Sequence, residues 1–135
     1  MTKTQTQLET FQQHLRAELT GDIETTMATM AGEPYVNHVP VMTGGVGREG
    51  VRNFYVNHLV GKLFPPDAEL VDVSRTISDD QIVEEVVLKF THTTPIDWML
   101  PGIAPTQKRI EVAVVVIVGF EDGKIAREHI YWDQA

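Results

Sequence analysis

The sequence contains no cysteine, so disulfide bonds and thiolate metal ligands are excluded for this chain. Its apolar runs are also far shorter than the roughly 20 residues that a membrane-spanning helix needs. The first residues, 1–7, include no apolar stretch of the kind that forms the core of a signal peptide. We therefore expect a cytoplasmic protein that does not enter a membrane.

Basic residues are scarce, because 11 Lys and Arg stand against 19 Asp and Glu and give a net charge of −8. This balance argues against nucleic acid or an anionic membrane as a partner. The glycine-rich segment 43–47 is not a phosphate loop, because no Gly-Lys-Ser/Thr follows it. The five histidines form neither an i,i+4 pair nor a His-x-His pair, so the sequence predicts neither a metal nor a cofactor.

The carboxyl-terminal stretch 107–133 predicts a long β-hairpin. Two segments rich in β-branched residues flank a short polar turn, Glu121–Lys124, in which Gly123 can adopt a positive φ. Gly119 is the expected bend in the first arm. That arm is apolar on both faces from Val112 to Val118, so one face should cover a core and the other a further layer or a second subunit.

Hydrophobic spacing and turn residues predict the remaining elements. A first helix at residues 5–20 precedes a short second helix that begins at Ile23 and is ended by Gly32 and Pro34, and a third helix ends near Gly61. Strands are predicted at 35–42, 68–76, 81–93, 107–120 and 124–133. With its 135 residues the chain predicts a single domain, residues 1–135, of the α+β class, with helices on one face of a curved antiparallel sheet.

The loop 94–106 is unusually apolar for a connection, with Trp98 near its centre. Loops of this length are often functional. It could form a lid over a pocket or pack against a second subunit.

Three short segments carry a resemblance to a known family. The helix junction Gly21-Asp22-Ile23, the segment 102–106 before the long strand and the turn around Gly123 resemble SnoaL-like proteins of the nuclear transport factor 2-like superfamily. The resemblance implies a cone, in which the sheet curls around the N-terminal helices and leaves one apolar pocket open for a small, mostly apolar molecule. It also implies a homodimer formed through the outer sheet face, on which we expect Ala113, Val115 and Ile117.

Catalytic positions of these relatives can be carried over by spacing. The resemblance places the general base of steroid isomerases at His38, their oxyanion-hole tyrosine at His14 and their protonated aspartate at Val116. It places the histidine of SnoaL-type aldol cyclases at Val116 and their aspartate at Ile130. Valine and isoleucine transfer no protons, so both family pairs are interrupted in this chain.

His38 and Glu128 are the predicted catalytic pair. Burial in an apolar pocket lowers the pKa of His38, which suits a general base, and raises the pKa of Glu128, which suits an acid. The alternative is structural: His38 bonds a backbone carbonyl, and Glu128 pairs with Arg109 or Arg127.

Strand alternation and helix faces suggest further residues that contact a substrate. His14 lies beside the apolar stripe of the first helix, so a surface or flanking position is the alternative for it, and His92 could equally be solvated. His58 is expected to be a core histidine on the third helix. The predicted substrate-contacting residues are His14, Tyr55, Phe90, His92, Trp98, Val116, Ile130 and Trp132.

Two functions remain open from the sequence. One is a cofactor-independent enzyme of the isomerase, cyclase or dehydratase type, with His38 as its base. The other is a non-catalytic module for ligand binding or dimerisation.

Overall fold

Helices cover the inner face of a curved, unclosed sheet in the computed structural model, which describes residues 1–59 and 63–134. The fold class predicted from the sequence is confirmed. The helical elements are α1 (Lys3–Thr20), α2 (Ile23–Ala28), α3 (Gly47–Phe54) and a π-helical turn (Tyr55–Leu59) that continues α3. The strands are β1 (Met30–His38), β2 (Thr43–Val46), β3 (Glu69–Ile77), β4 (Gln81–Thr91), β5 (Arg109–Glu121) and β6 (Lys124–Trp132).

The strand order in the sheet is β2-β1-β6-β5-β4-β3. Neighbouring strands are antiparallel except β1 and β6, which run parallel. This strand order places the N-terminal strand β1 beside the C-terminal strand β6. Residues from the two ends of the sequence meet on this pair.

The predicted turns take their expected geometry. Gly21 ends α1 with φ 75°, and the Asp22 carboxylate accepts a hydrogen bond from the Thr25 amide at 3.0 Å, which caps α2. Asp122 and Gly123 have φ values of 51° and 76°, as a two-residue hairpin of the mirror-image type requires. The pairing of β5 with β6 is irregular at Gly119, the expected bend.

The first strand differs from its prediction. It begins at Met30, runs through Gly32 and Pro34 and ends at His38, whereas the sequence predicted a strand at 35–42. Its register against β6 is irregular between Met30 and Tyr35, which accommodates a glycine and a proline that regular pairing disfavours. The glycine-rich segment 43–47 contributes the edge strand β2, and His38 pairs with Thr43.

The third helix begins at Gly47 and turns π-helical at Tyr55, and its predicted end near Gly61 lies outside the described residues. A π-helical turn shifts the residues that follow it around the helix. Tyr55 and Leu59 are consequently buried, whereas the His58 side chain is 54% exposed. The prediction of a core histidine at position 58 is wrong.

The apolar loop 94–106 packs onto the body of its own chain. Ile96, Trp98 and Met99 are buried there. The Trp98 indole donates to the Leu63 carbonyl at 2.8 Å, and the Thr43 hydroxyl donates to the Trp98 carbonyl at 2.6 Å. The loop is therefore anchored to β2 at one end of the sheet. Within the described residues, no helix has the length and apolarity to cross a membrane.

Gly44 allows β2 to approach β1 closely, and its replacement tests this packing. A Cβ atom at position 44 would lie 1.9 Å from the Val36 carbonyl oxygen, so Gly44→Ala requires backbone movement in both strands. We expect a loss of about 2 kcal/mol or more in the free energy of unfolding, measured by urea denaturation. Gly32→Ala is the control, because a Cβ atom there meets nothing within 4 Å. Equal losses in the two variants would contradict this account of the β1–β2 contact.

Candidate functional site

A cavity of about 310 Å³ lies between the helices and the inner face of the sheet. Most of its wall is apolar, and Trp98 of the loop 94–106 contributes to it. Charged and polar groups occur at two places in the wall. The polar lining residues are Glu18, His38, Tyr55, Asp72, Arg75, Glu84 and Glu128, and the apolar ones include Phe11, Val36, Leu59, Leu88, Val114, Val116 and Ile130.

One cross-strand row explains the distribution of these groups. Successive partners across five strands are Arg75, Glu84, Val116, Ile130 and His38. Side chains in such a row share one face of a sheet. Val116 and Ile130 therefore form an apolar floor between a histidine at one end and an Arg–Glu pair at the other.

His38 stands at the end of β1 and is 5% exposed. Its Nδ1 lies 3.0 Å from the Thr43 carbonyl oxygen, which can only accept a hydrogen bond. Nδ1 therefore carries the proton, and in the neutral ring Nε2 is the basic atom. Within residues 1–59 and 63–134, no hydrogen bond is made to Nε2. The His38 ring packs against Phe54, Trp98 and Trp132.

The pKa of His38 is lowered from its ordinary value. Burial is the main cause, and it outweighs the opposing effects of the Thr43 carbonyl and the Glu128 carboxylate. His38 is therefore neutral at pH 7, with a free electron pair on Nε2. The structural alternative considered for this residue, a bond to a backbone carbonyl, is also present, but it occupies only Nδ1.

A second polar group, here called the His14 cluster, comprises His14, Glu18, Tyr55 and Glu128. His14 Nε2 forms an ion pair with Glu18 and lies 3.4 Å from Glu128 Oε2. The Tyr55 hydroxyl is 3.2 Å from Glu128 Oε2, 3.3 Å from Glu18 Oε1 and 3.2 Å from His14 Nε2. Glu128 is thus bound by His14 and Tyr55, and not by Arg109 or Arg127.

The protonation state of His14 can be assigned from the hydrogen-bond partner of its Nδ1 atom. Nδ1 lies 2.8 Å from the Thr29 hydroxyl, which itself donates to the Thr26 carbonyl at 2.6 Å. Thr29 therefore accepts from Nδ1–H, and Nε2 faces the two carboxylates. Burial alone lowers the pKa of His14, but Glu18 and Glu128 more than offset it and raise that pKa well above 6.5. His14 is a buried imidazolium at neutral pH.

The carboxyl groups of the cluster differ in their pKa values. Burial raises the pKa of Glu18, and His14 only partly offsets it. Burial also acts to raise the pKa of Glu128, but His14, His38 and Tyr55 together lower it below the ordinary value. Burial and the two carboxylates raise the pKa of Tyr55 well above 10. The expectation of a protonated, acidic Glu128 is therefore wrong, because the positive charge of His14 keeps Glu128 ionised.

The structure brings six predicted site residues into the cavity wall: His38, Tyr55, Trp98, Val116, Glu128 and Ile130. His14 is completely buried behind Glu18 and Glu128, so the alternative of a surface position is wrong. It acts on the cavity through its neighbours. The helix α1 is turned so that Gln7, Phe11, His14 and Ala17 face inward, whereas Leu19 is 59% exposed.

Besides His14, three further predicted substrate-contacting residues lie outside the cavity wall. Phe90 and His92 are completely buried elsewhere in the core. The Thr106 amide donates to His92 Nδ1 at 3.2 Å. This hydrogen bond holds the end of the loop 94–106, and His92 is not solvated. Trp132 contacts the rings of His38 and Trp98 from behind the wall.

Sequence reasoning missed four polar residues of the cavity: Glu18, Asp72, Arg75 and Glu84. Two signals were present in the sequence. Glu18 follows His14 at the i,i+4 spacing that brings side chains together on a helix. Glu84 interrupts an otherwise apolar inward face of β4, where a charged group needs a partner.

A metal ion could be held by His14, Glu18 and Glu128, whose ligating atoms lie within 4.8 Å of one another. Coordination needs an unprotonated Nε2 on His14. The raised pKa of His14 keeps a proton on that atom at neutral pH. The arrangement therefore favours a proton over a metal ion.

Comparison with known proteins identifies the family of this chain. The SnoaL-like domain model matches residues 11–128, so the chain belongs to the SnoaL-like domain family. No curated protein matches the sequence.

Similar solved structures share the fold at low sequence identity. A protein from Jannaschia sp. CCS1 classed as a SnoaL-like polyketide cyclase has a TM-score of 0.74 and 18% identity, over 98% of this chain and 89% of that one. The epoxide hydrolase/cyclase-like enzyme SalBIII, which acts in pyran ring formation in salinomycin, has a TM-score of 0.68 and 14% identity, over 96% and 92%. RV0760c of Mycobacterium tuberculosis, solved with estradiol-17β-hemisuccinate, has a TM-score of 0.65 and 19% identity, over 96% and 95%.

The charge of His14 can be tested by His14→Gln. This change leaves two buried carboxylates without their cation, so we expect a loss of about 3 kcal/mol in the free energy of unfolding at pH 7. The folded-state pKa of His14 is raised, so its stabilising contribution is complete below pH 6.5 and is lost as the pH rises through the raised value. The difference between wild type and variant, measured by urea denaturation, should shrink at alkaline pH.

The control for this experiment is His58→Gln, because the His58 side chain is 54% exposed. It should change stability by less than about 0.5 kcal/mol. Adding Glu18→Gln to His14→Gln removes one of the two uncompensated carboxylates and should recover part of the loss. A His14→Gln variant as stable as His58→Gln at pH 7 would contradict the assignment of a buried imidazolium.

Proposed function

We propose that this chain is a cofactor-independent acid–base enzyme, of the isomerase, cyclase or dehydratase type, acting on a small, mostly apolar molecule in the cavity. The observation that carries the proposal is the state of His38. Its Nδ1–H is committed to the Thr43 carbonyl, its pKa is lowered by burial, and it lines an apolar cavity. A neutral imidazole fixed in this way is a competent general base at pH 7.

The proposed chemistry is a proton transfer at carbon. His38 Nε2 removes a proton from a carbon next to a carbonyl group of the substrate, and the electron pair of the broken C–H bond is delocalised onto the carbonyl oxygen. The resulting imidazolium is stabilised by the nearby Glu128 carboxylate and by the Thr43 carbonyl. Return of the same proton to a different carbon completes an isomerisation. In a cyclisation, the carbanion instead attacks a second carbonyl carbon of the substrate, and the oxygen of that carbonyl takes the proton back from His38.

The remaining groups give the base its environment. Glu128 stays ionised because His14 and Tyr55 bind it, so its role is electrostatic. The apolar floor of Val116 and Ile130 keeps water away from His38 and suits a substrate with an apolar body. The related proteins support this class of function, since SalBIII is a cyclase-like enzyme and RV0760c was solved with a small ligand.

The variant His38→Asn separates catalysis from folding. The asparagine amide can donate to the Thr43 carbonyl in place of Nδ1–H but has no basic atom in place of Nε2. We expect a nearly unchanged melting temperature and a turnover lower by about 10²–10⁴. A suitable probe is cyclohex-3-en-1-one, whose conversion to the conjugated ketone is followed by ultraviolet absorbance. Wild-type kcat/KM should fall at acidic pH, with its midpoint below 6.5, because the pKa of His38 is lowered.

The matched control is His58→Asn, an exposed histidine on the π-helical turn, which should retain wild-type turnover. His38→Ala is the structural comparison. It removes the side-chain donor to the partly buried Thr43 carbonyl and should cost about 1–3 kcal/mol of stability. Equal turnover in folded His38→Asn and wild type would refute His38 as the base.

A second candidate function is a non-catalytic ligand-binding module. The observation in its favour is that positions 116 and 130, which carry proton-transferring residues in the relatives considered, are valine and isoleucine on the cavity floor. This alternative gains if ligands saturate the cavity while wild type and His38→Asn both leave the ketone unchanged.

We also propose that the chain forms a homodimer through the outer sheet face. Val114 and Val116 line the cavity, so Ala113, Val115 and Ile117 project outward from β5. Their cross-strand partners on β4 are Val87, Glu85 and Val83, which makes the outer face mainly apolar. On the edge strand β3, next to β4, Val71 and Val73 are 39% and 55% exposed. A contiguous apolar face of this kind is typical of an interface.

The dimer is tested by sedimentation velocity at micromolar concentration. We expect wild type to sediment as a dimer, with an interface burying roughly 2,000 Å² or more. Val115→Lys places a charge at the centre of the face and should give a folded monomer. Val46→Lys is the control, because Val46 lies on β2 and is already 84% exposed. A wild-type monomer at this concentration would refute the proposal.

A further inference from the structure

The second polar place in the cavity wall is an ion pair that the proposed chemistry does not use. Arg75 Nε, on the edge strand β3, donates to Glu84 Oε1 on β4. The side chain of Glu84 is 8% exposed and that of Arg75 is 35% exposed. Both residues line the cavity. The pair therefore joins a nearly buried carboxylate to a guanidinium that is open on one side.

This pair has unused hydrogen-bonding capacity on the cavity side. A guanidinium has five N–H donors, and a carboxylate has two accepting oxygens. Within residues 1–59 and 63–134, the Nε–Oε1 bond is the one hydrogen bond that these two side chains make to each other or to other side chains. Glu84 lines the cavity, and within the described residues its Oε2 atom makes no hydrogen bond to another side chain. A donor and an acceptor thus lie side by side in the wall.

We propose that Arg75 and Glu84 form a subsite for a hydroxyl group of the ligand. A hydroxyl group can accept a hydrogen bond from an Arg75 Nη atom while it donates one to Glu84 Oε2. A ligand carboxylate is disfavoured, because Glu84 already neutralises Arg75 and Asp72 adds a negative charge to the same wall. A methyl group or a hydrogen atom in the same place would leave both partners unsatisfied, which a polar site rejects strongly.

The position of the subsite also constrains the shape of the ligand. Arg75 and His38 are the two ends of the cross-strand row, four strand spacings apart, or roughly 19 Å along the curved sheet. Val116 and Ile130 lie between them. The inferred ligand is elongated, with a hydroxyl group at one end, an apolar body, and its reacting carbon near His38. The last feature rests on the proposed function, whereas the hydroxyl subsite requires only that the cavity binds ligands.

The test compares two rigid probes that differ in one group, 4-phenylphenol and 4-methylbiphenyl. Dissociation constants are measured by quenching of Trp98 fluorescence, with Trp132→Phe as the background to isolate that signal. We expect this background protein to bind the phenol about tenfold or more tightly than its methyl counterpart. Arg75→Met and Glu84→Gln should each reduce this preference to within about threefold while leaving the affinity for 4-methylbiphenyl nearly unchanged.

Two control variants make the outcome specific. Arg52→Met removes the exposed Arg52–Glu24 pair outside this cavity and should keep the full preference for the phenol. Glu128→Gln alters the His14 cluster, the other polar part of the cavity wall, and should also keep the preference for the phenol. Loss of the preference in Glu128→Gln but not in Arg75→Met would overturn the proposal, because the hydroxyl group would then bind at the His14 cluster.

The remaining outcomes separate the subsite from the proposed function. If both probes bind equally well, the hydroxyl subsite is refuted while the ligand-binding cavity stands. If neither probe binds, the cavity is not a site for such molecules and both proposals fail. If the preference follows Arg75 and Glu84 but His38→Asn retains full turnover, the subsite stands and His38 is not the base.

Discussion

The buried charge of His14 is the constraint on which the rest of the site depends. A buried imidazolium is tolerated only where anions and hydrogen-bond acceptors surround it, and Glu18, Glu128 and Thr29 provide them from α1, β6 and the end of α2. To reach these partners, α1 turns a face containing Gln7 and His14 toward the core. The same cluster ties the first helix to the last strand and fixes the ionised state of Glu128.

His38 is held by a different mechanism. The short strand β2 folds back on β1 so that the Thr43 carbonyl meets Nδ1, and the hydroxyl of the same residue bonds the Trp98 carbonyl. One threonine therefore fixes both the orientation of the imidazole and the loop that covers it. Gly44 makes this approach possible, because a Cβ atom there would collide with the Val36 backbone of β1, and Gly45 in the same way lets α3 pack closely on β2.

The family resemblance assigned acid–base positions of relatives to Val116 and Ile130 of this chain. In the structure these two residues form an apolar floor between His38 and the Arg75–Glu84 pair. The polar groups have not disappeared from the cavity but occupy its two ends. The proposed division of roles follows from this geometry, with proton transfer at one end and ligand recognition at the other.

The sequence by itself determined the elements whose signals are local. The Asp122-Gly123 turn, the Gly21-Asp22 junction and the alternation along β4 depend on backbone preference and period, and these placed the hairpin and the helix junction. The family resemblance supplied the inward positions of Val116 and Ile130, and strand alternation from Ile130 then added Glu128. The inward position of His38 was likewise an implication of the family resemblance. Local signals do not specify which neighbours a side chain will have once strands from opposite ends of the chain pair.

Only the tertiary structure decided the ionisation states and the partners of the site residues. Burial was expected to make Glu128 an acid, but contact with His14, 114 positions earlier in the numbering, reverses the direction of its pKa shift. The orientation of α1, the π-helical turn that buries Tyr55 and exposes His58, and the pairing of Arg75 with Glu84 likewise depend on packing between distant segments. Electrostatic interactions act through space, so their sign and strength at a buried group follow from the assembled neighbours and not from the residue's own stretch of sequence.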